Sequence, residues 1–485
     1  METVIYGNCF IFGSTPPPIQ RKTCRWNTKR HSPWEKISNE EETVIEAEIQ
    51  PLELQFNTEH IDLQQIKDIQ IAHNHMLILL ENGYLYSVGN GLNGKLGHGE
   101  TSHCDEPVKV MNNVTSISVG KNHSAAITSE GCLYMMGLNE YGQLGLSHFN
   151  DVYTPTLVSF FKEPVAQVAC GENHTLVLLE SGNAYAFGRG MEGQLGTLGH
   201  IKATEERTAF SPVSNRKMYL LKRPTPRLVN AHYPADKNHR RPFVTFSTIA
   251  CGQNFSNLIS KQGHLFVCGE GRTGALGVQP FQSQVLSPTH VDIEPQEAVK
   301  GEKARLINVS IDYEPLPSTK IQPRYIDHEE PEAPPPEKVK PVIKFDLDIQ
   351  YREYDDVPSV EQVHIDDIVS AFGHTLLLTT SGKLYASGLN THGQCGVGHQ
   401  NTLKVFTPLK MSKSLQHERI LKIGVGTHFS AFLTDAGYLY VTGLLPGKTQ
   451  PFLIPTRLFH YQHNQQSIQN FFCGPSSIIV LTDQQ

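Results

Sequence analysis

Tryptophan is nearly absent from this chain of 485 residues: there are two, Trp26 and Trp34, both in a polar stretch near the N-terminus. The nine cysteines are scattered singly, without a CxxC pair or a Cys/His ligand spacing, which argues against a zinc site. Unpaired cysteine used in this way suits a reducing compartment. Neither sign of charge dominates, since the formal net charge is -7 with 18% charged residues. No global field therefore selects nucleic acid or an anionic membrane as the partner. Apolar runs such as Met76–Leu80 are strand-sized and far too short for a membrane span. The opening residues, METVIYGNCFIFG, put no basic segment ahead of an apolar one, so no secretory signal is expected. The chain also lacks a GxSxG elbow and an HExxH pair, and Asp151 and Asp435 have no spacing that marks an acid/base couple. What remains is a cytoplasmic or nuclear protein with no recognisable bond-making site and no cofactor signature.

Glycine, by contrast, is abundant and periodic. Gly131–Gly145 reads GCLYMMGLNEYGQLG, and variants recur at Gly83–Gly97, Gly182–Gly196, Gly263–Gly277 and Gly382–Gly396 with glycines at the same offsets. A self-similar unit of roughly fifty residues marks a repeat architecture. Within the second unit, Ile117–Gly120 and Ser124–Thr128 are short apolar runs split by a Gly-x-x-His turn; Leu133–Met136 and Pro155–Val158 follow. Four short strands with Gly-rich turns and no helical periodicity describe a four-stranded antiparallel sheet. One such sheet cannot bury both faces, but several packed radially can. Six units are present. A seventh is split: Cys473–Thr482 stops where a Gly-x-Leu-Tyr strand is due, and Gly7–Gly13 with Pro51–Leu54 supplies it from the other end. The expected fold is all-β, a seven-bladed β-propeller of four-stranded antiparallel blades. Its closing blade is shared by both termini over residues 3–13, 44–56 and 468–482.

Three insertions interrupt this single domain. Residues 14–43 are polar with a basic run, and residues 197–242 are basic. Residues 294–362 are acidic and Pro-rich, too poor in apolar residues to bury, so a mobile loop is expected there. Binding residues concentrate in long loops on rigid frames. Arg216, Lys217, Lys222, Arg223, Arg240 and Arg241 of the basic insertion are therefore the candidate partner-binding residues.

Two patterns imitate chemistry. Gly89-Asn-Gly91-Leu-Asn-Gly94 fits a dinucleotide fingerprint and, read to Lys95, a phosphate loop. Yet Leu96 replaces the Ser/Thr that would hold magnesium, and no helix start follows. Gly94, Gly97, Gly142, Gly145, Gly193, Gly196, Gly274, Gly277, Gly393 and Gly396 are read instead as turn residues that need positive φ. The repeated His75, His123, His174 and His374 suggest a metal site, but Phe255, Phe429 and Ser477 fill the same place in other units. They are read as structural, each bonded to backbone where a turn enters a strand.

The pattern Gly-x-x-His-[ST]…Gly-x-[LA]-Tyr-x-x-Gly…Gly-Gln-Leu-Gly, nearest at Gly120–Gly145 and Gly171–Gly196, resembles the regulator-of-chromosome-condensation repeat. The resemblance covers the chain outside the three insertions and implies a seven-bladed propeller that binds proteins. The family's best-known activity implies guanine-nucleotide exchange on a Ras-like small GTPase. The alternatives are a non-catalytic scaffold in trafficking, ciliary or ubiquitin pathways, and nucleosome or nucleic-acid binding. A light-sensing branch relies on clustered propeller tryptophans, whereas Trp26 and Trp34 lie in an insertion.

Overall fold

The second strand of each repeat is buried along nearly its whole length, and in His174–Leu179 (HTLVLL) every residue is buried. Such a strand cannot lie on a sheet with a wet face. It must be covered on both sides, and a stack of sheets does this. The computed structural model describes residues 3–6, 47–48, 52–53, 65–196, 222–232, 243–293, 363–411, 415–445, 448–459 and 468–482. They form an all-β propeller of four-stranded antiparallel blades. In the second blade, for example, Val114–Val119, His123–Thr128, Leu133–Gly137 and Val152–Leu157 run from the inside outward. Six blades follow this plan between Ile66 and Phe459. The described residues all belong to one compact unit, Met1–Glu294 with Val363–Gln485.

Hydrophobic clusters are shared between successive blades rather than held within one. Leu176, Leu178 and Ala186 of the third blade pack with Phe246, Ile249 and Phe266 of the fourth. Leu376, Leu378 and Ala386 of the fifth pack with Ile423, Phe432 and Tyr440 of the sixth. A further four-stranded sheet combines Ile468–Gly474 and Ser477–Thr482 with Thr3–Tyr6 and Leu52–Glu53. Thr3 opposes Leu481 and Ile5 opposes Ile479. Phe471, Ile478 and Val480 of this sheet pack on Leu433 and Val441 of the sixth blade. On its other side Phe472, Ile479 and Leu481 pack on Ile66, Ile69 and Ile78 of the first. The N-terminal strand therefore falls at Thr3–Tyr6, ahead of the Gly7–Gly13 segment expected to form it; those seven residues lie outside the described ones. Insertion residues 14–43 and 294–362 also lie outside them.

Each outer strand carries a proline: Pro107, Pro155, Pro226, Pro288, Pro408 and Pro455. Proline removes a backbone donor, so it blunts a sheet edge that would otherwise pair with another chain. Among the described residues, the sixth blade alone is extended. Ala47–Glu48 pairs in parallel with Leu458 and Phe459, beyond Pro455.

Candidate functional site

The histidines expected to bond backbone instead join neighbouring blades. His75 Nε2 lies 3.0 Å from Ser124 Oγ, His123 Nε2 lies 3.0 Å from Thr175 Oγ1, and His174 Nε2 lies 3.1 Å from Ser256 Oγ. His374 Nε2 lies 3.0 Å from Ser430 Oγ. In every case the hydroxyl donates onward to a turn carbonyl of the histidine's own blade: Ser124 to Lys95, Thr175 to Gln143, Ser256 to Gln194 and Ser430 to Gln394. Because the hydroxyl proton is committed to the carbonyl, the imidazole must carry its hydrogen on Nε2 and donate it. That fixes the neutral tautomer and leaves Nδ1 of all four rings buried without a hydrogen-bond partner. Burial pushes His75 down to about 3, helped by the Lys95 ammonium and His123, and pushes His123 down to about 4. It likewise brings His174 to about 3 and His374 to about 4. These rings are latches, and each is tied to a different blade boundary.

The repeated glycines serve the same boundaries. Gly142 has φ +84°, and a Cβ there would lie 2.5 Å from Pro224 N in the outer strand of the third blade. Gly94, with φ +81°, would put its Cβ 2.6 Å from Tyr153 Cα of the second. Positive φ and close approach coincide, so these turns need glycine twice over. Gln143, Gln194 and Gln394 accept the backbone N–H two residues earlier, from Tyr141, Glu192 and His392. Lys95 takes that place in the first blade. It has no exposed surface, reaches Asn122 Oδ1 at 3.2 Å, and is pushed down to about 8 by burial. The loop from Gly89 leads through a three-residue 3-10 turn, Leu92–Gly94, to the strand Cys104–Met111, so no helix follows it.

A second, half-buried cluster joins the inner strands. Lys422 Nζ donates to Asn470 Oδ1 at 2.7 Å and lies 4.3 Å from the Phe472 ring centroid. Burial lowers the Lys422 ammonium, against the pull of Asp68, Cys473 and Asp367, and burial raises the Asp68 and Asp367 carboxyls.

In an antiparallel meander the first-to-second turns and the third-to-fourth loops emerge at one end. Backbone bonds tie them together there, as in Leu138 N to Asn122 O at 2.8 Å and Leu389 N to Gly373 O at 2.8 Å. The residue after the glycine that opens this turn, or after Ala72 and Ala371 in its place, does not repeat: His73, Lys121 and Glu172 in the first three blades, then Gln253, Phe372 and Thr427. Lys121 pairs with Glu172, whose other carboxylate oxygen accepts from Gln253 Nε2. Arg189 pairs with Glu192 at 2.7 Å, and Lys222 Nζ sits 4.8 Å from the Tyr141 ring centroid. Phe372 is 45% exposed.

The structure relocates part of the basic insertion. Lys222 and Arg223, expected in a loop, begin the outer strand Lys222–Leu228 of the third blade, opposite Arg189 and Gly188. Pro224 and Pro226 favour this extended course. Arg216, Lys217, Arg240 and Arg241 lie outside the described residues. Sequence reasoning did not single out Phe372, Tyr141, Arg189 or the Lys121–Glu172 pair. The available signal was variability at one position inside an otherwise faithful repeat.

The RCC1-like domain model matches residues 36–311, over half of the chain. Regulator of chromosome condensation (RCC1) repeats match residues 381–433 and 365–394. The chain is 30% identical over 306 residues to the X-linked retinitis pigmentosa GTPase regulator of Canis lupus familiaris, covering 62% of this chain and 26% of that one. It is 24% identical over 308 residues to the secretion-regulating guanine nucleotide exchange factor of Mus musculus, covering 62% and 57%. It thus spans about a quarter of the first relative and somewhat over half of the second. Among solved structures, Prp20p of Saccharomyces cerevisiae, described with its binding to Gsp1p and histones, superposes with a TM-score of 0.62 at 18% identity. That match covers 100% of this chain and 92% of that one, and it speaks for the fold alone.

Proposed function

We propose that this chain, which belongs to the RCC1-like domain family, is a seven-bladed interaction propeller that binds a Ras-like small GTPase, as an exchange factor or as a GTPase-binding protein. The observation that carries the reading is the likeness to one relative named as a GTPase regulator and another named as a guanine nucleotide exchange factor. The count of seven is supported by the sheet of Ile468–Gly474, Ser477–Thr482 and Thr3–Tyr6, which packs on both the sixth blade and the first. In this reading the whole chain is one propeller with insertions at 14–43, 197–242 and 294–362, the middle one broken by the strand at Lys222. A cytoplasmic or nuclear location belongs to the same proposal.

The geometry suits partner binding. Latches and close-packed glycines fix the blades, so the non-repeating rim side chains stand on a rigid support and lose little freedom on association. Exchange requires that the propeller bind the nucleotide-free GTPase more tightly than the loaded one; equal affinity for both shifts nothing. A fluorescent-nucleotide release assay with the full chain across purified Ras-like GTPases tests this. Faster release from at least one member is expected. If no member is accelerated or bound, the reading fails and the scaffold alternative takes its place.

A further inference from the structure

The third strand of each blade turns an aromatic ring toward the blade before it. Tyr86, Phe266, Tyr385 and Tyr440 are buried there, each in a cluster shared with that neighbour. Where the segment joining two blades is described, it covers the ring. Between the second and third blades, residues 158–164 bring Phe160 and Phe161 edge-on to Tyr185, with ring centroids 5.8 and 5.4 Å away. Between the fifth and sixth, Tyr440 Oη donates to Glu418 Oε1 at 3.0 Å, and Leu415 packs in the same cluster.

The boundary between the first and second blades breaks this rule. Only Asn112 and Asn113 join Met111 to Val114, and Asn113 turns the chain tightly at φ +58°. Nothing so short can lie over Tyr134. A groove of about 370 Å³ is left beside its ring, walled by Val110 and Met111 of the first blade and Pro155 of the second, with Glu130 exposed at its lip. That volume falls within the range of roughly 300–1,000 Å³ found for ligand pockets. Leu157 stands opposite Tyr134 in the ladder, so it shares that face of the sheet, and it is 44% exposed. Its counterpart opposite Tyr185, Leu228, is half-buried. Glu130 is the one charged side chain lining the groove. Lys67 and Lys109, on the inner and outer strands of the first blade, are engaged elsewhere: the first on the Thr115 carbonyl at 3.0 Å, the second over the Tyr84 ring at 3.3 Å.

We propose that the groove beside Tyr134 is a docking site for a partner segment in which an aromatic side chain is followed by a lysine or arginine. The occupant is argued from the chain itself. One boundary further on, the equivalent tyrosine is met by the chain's own Phe160 and Phe161, so a phenyl ring is what this geometry accepts. The Glu130 carboxylate at the lip adds the preference for a basic neighbour. The inference rests on the reading of this chain as a protein-binding propeller, and it does not depend on the partner being a GTPase.

The test titrates the full chain into a fluorescein-labelled peptide amide, VSFFK, copied from residues 158–162, and reads fluorescence anisotropy. Saturable binding is expected, and the peptide VSSSK should not bind. Glu130→Lys and Leu157→Ser should each weaken VSFFK by about tenfold, while Phe281→Ser, at an exposed ring of the fourth blade, leaves it within about twofold. Glu130 and Leu157 both face solvent, so E130K and L157S should melt like the parent. Lack of saturable binding overturns the inference. So does binding that E130K and L157S leave unchanged, or VSSSK binding as well as VSFFK. Groove-dependent binding of VSFFK with no GTPase response would sink the GTPase reading alone. A GTPase accelerated by the parent chain while VSFFK fails to bind would sink the docking inference alone.

Discussion

Mild acid should loosen this propeller. His75, His123, His174 and His374 are neutral and fully buried, with folded values of about 3 to 4 against roughly 6.5 when unfolded. A histidine depressed on folding contributes stability that is complete above the unfolded value and is lost as pH falls below it. Between pH 7.5 and 5.5 each unfolded imidazole gains about 1.3 kcal/mol of protonation free energy that the folded ring cannot match. Four rings give a loss of about 5 kcal/mol. In a fold of more than 250 residues, about 1–2 °C accompanies each kcal/mol, so the melting temperature should fall by roughly 5–10 °C. His73, His98 and His290 are also lowered by desolvation and act in the same direction. The raised carboxyls of Asp68 and Asp367 act oppositely, since a folded state that holds protons more tightly gains as pH falls. Melting curves by differential scanning fluorimetry across this window, with His174→Phe as a control, give the answer. Phe255 shows that a blade accepts phenylalanine at this place. Ser256 keeps its bond to the Gln194 carbonyl in that variant. H174F should lose about a quarter of the pH slope. A melting temperature flat from pH 7.5 to 5.5, or an unchanged slope in H174F, would refute the assigned protonation state.

Lys95→Gln should stabilise the chain by about 1–3 kcal/mol at pH 7, because it removes a buried ammonium and restores the turn acceptor found at Gln143; chemical denaturation reads this directly, and a loss of stability contradicts it. Gly142→Val should destabilise severely, through a disallowed φ and collision with Pro224, with reduced soluble yield as the first sign. Leu178→Ala, in the cluster shared by the third and fourth blades, should cost about 2–5 kcal/mol in urea unfolding. Deletion of residues 300–355 should leave the melting temperature nearly unchanged, and a large drop would mean that the segment packs on the blades.

Much of the frame was legible because the repeat is written in residues with one steric use. Gly142 marks a turn, Pro155 an edge strand, and the run His174–Leu179 a doubly covered strand. What escaped was the identity of partners across blade boundaries. The Ser or Thr after His123, His174, Phe255 and Phe429 was visible as part of the motif, but its role depends on which blade it faces, and spacing along the chain does not state that. Phe372 escaped for a different reason: reading a repeat draws attention to what recurs, and this exposed ring stands where recurrence breaks. Lys222 and Arg223 were drawn into a loop by their charge, although Pro224 and Pro226 beside them favour a strand. The parallel strand Ala47–Glu48 carries no local pattern strong enough to be found.

The pairing of Thr3–Tyr6 with Ser477–Thr482 bears on how the molecule is made. A ribosome releases the head long before the tail, so the greasy flank of Ile66, Ile69 and Ile78 stays uncovered until the last hairpin has been translated. Assembly therefore waits for that hairpin, and a message interrupted before it yields an open arc with a sticky side, fit for chaperones or degradation rather than for work.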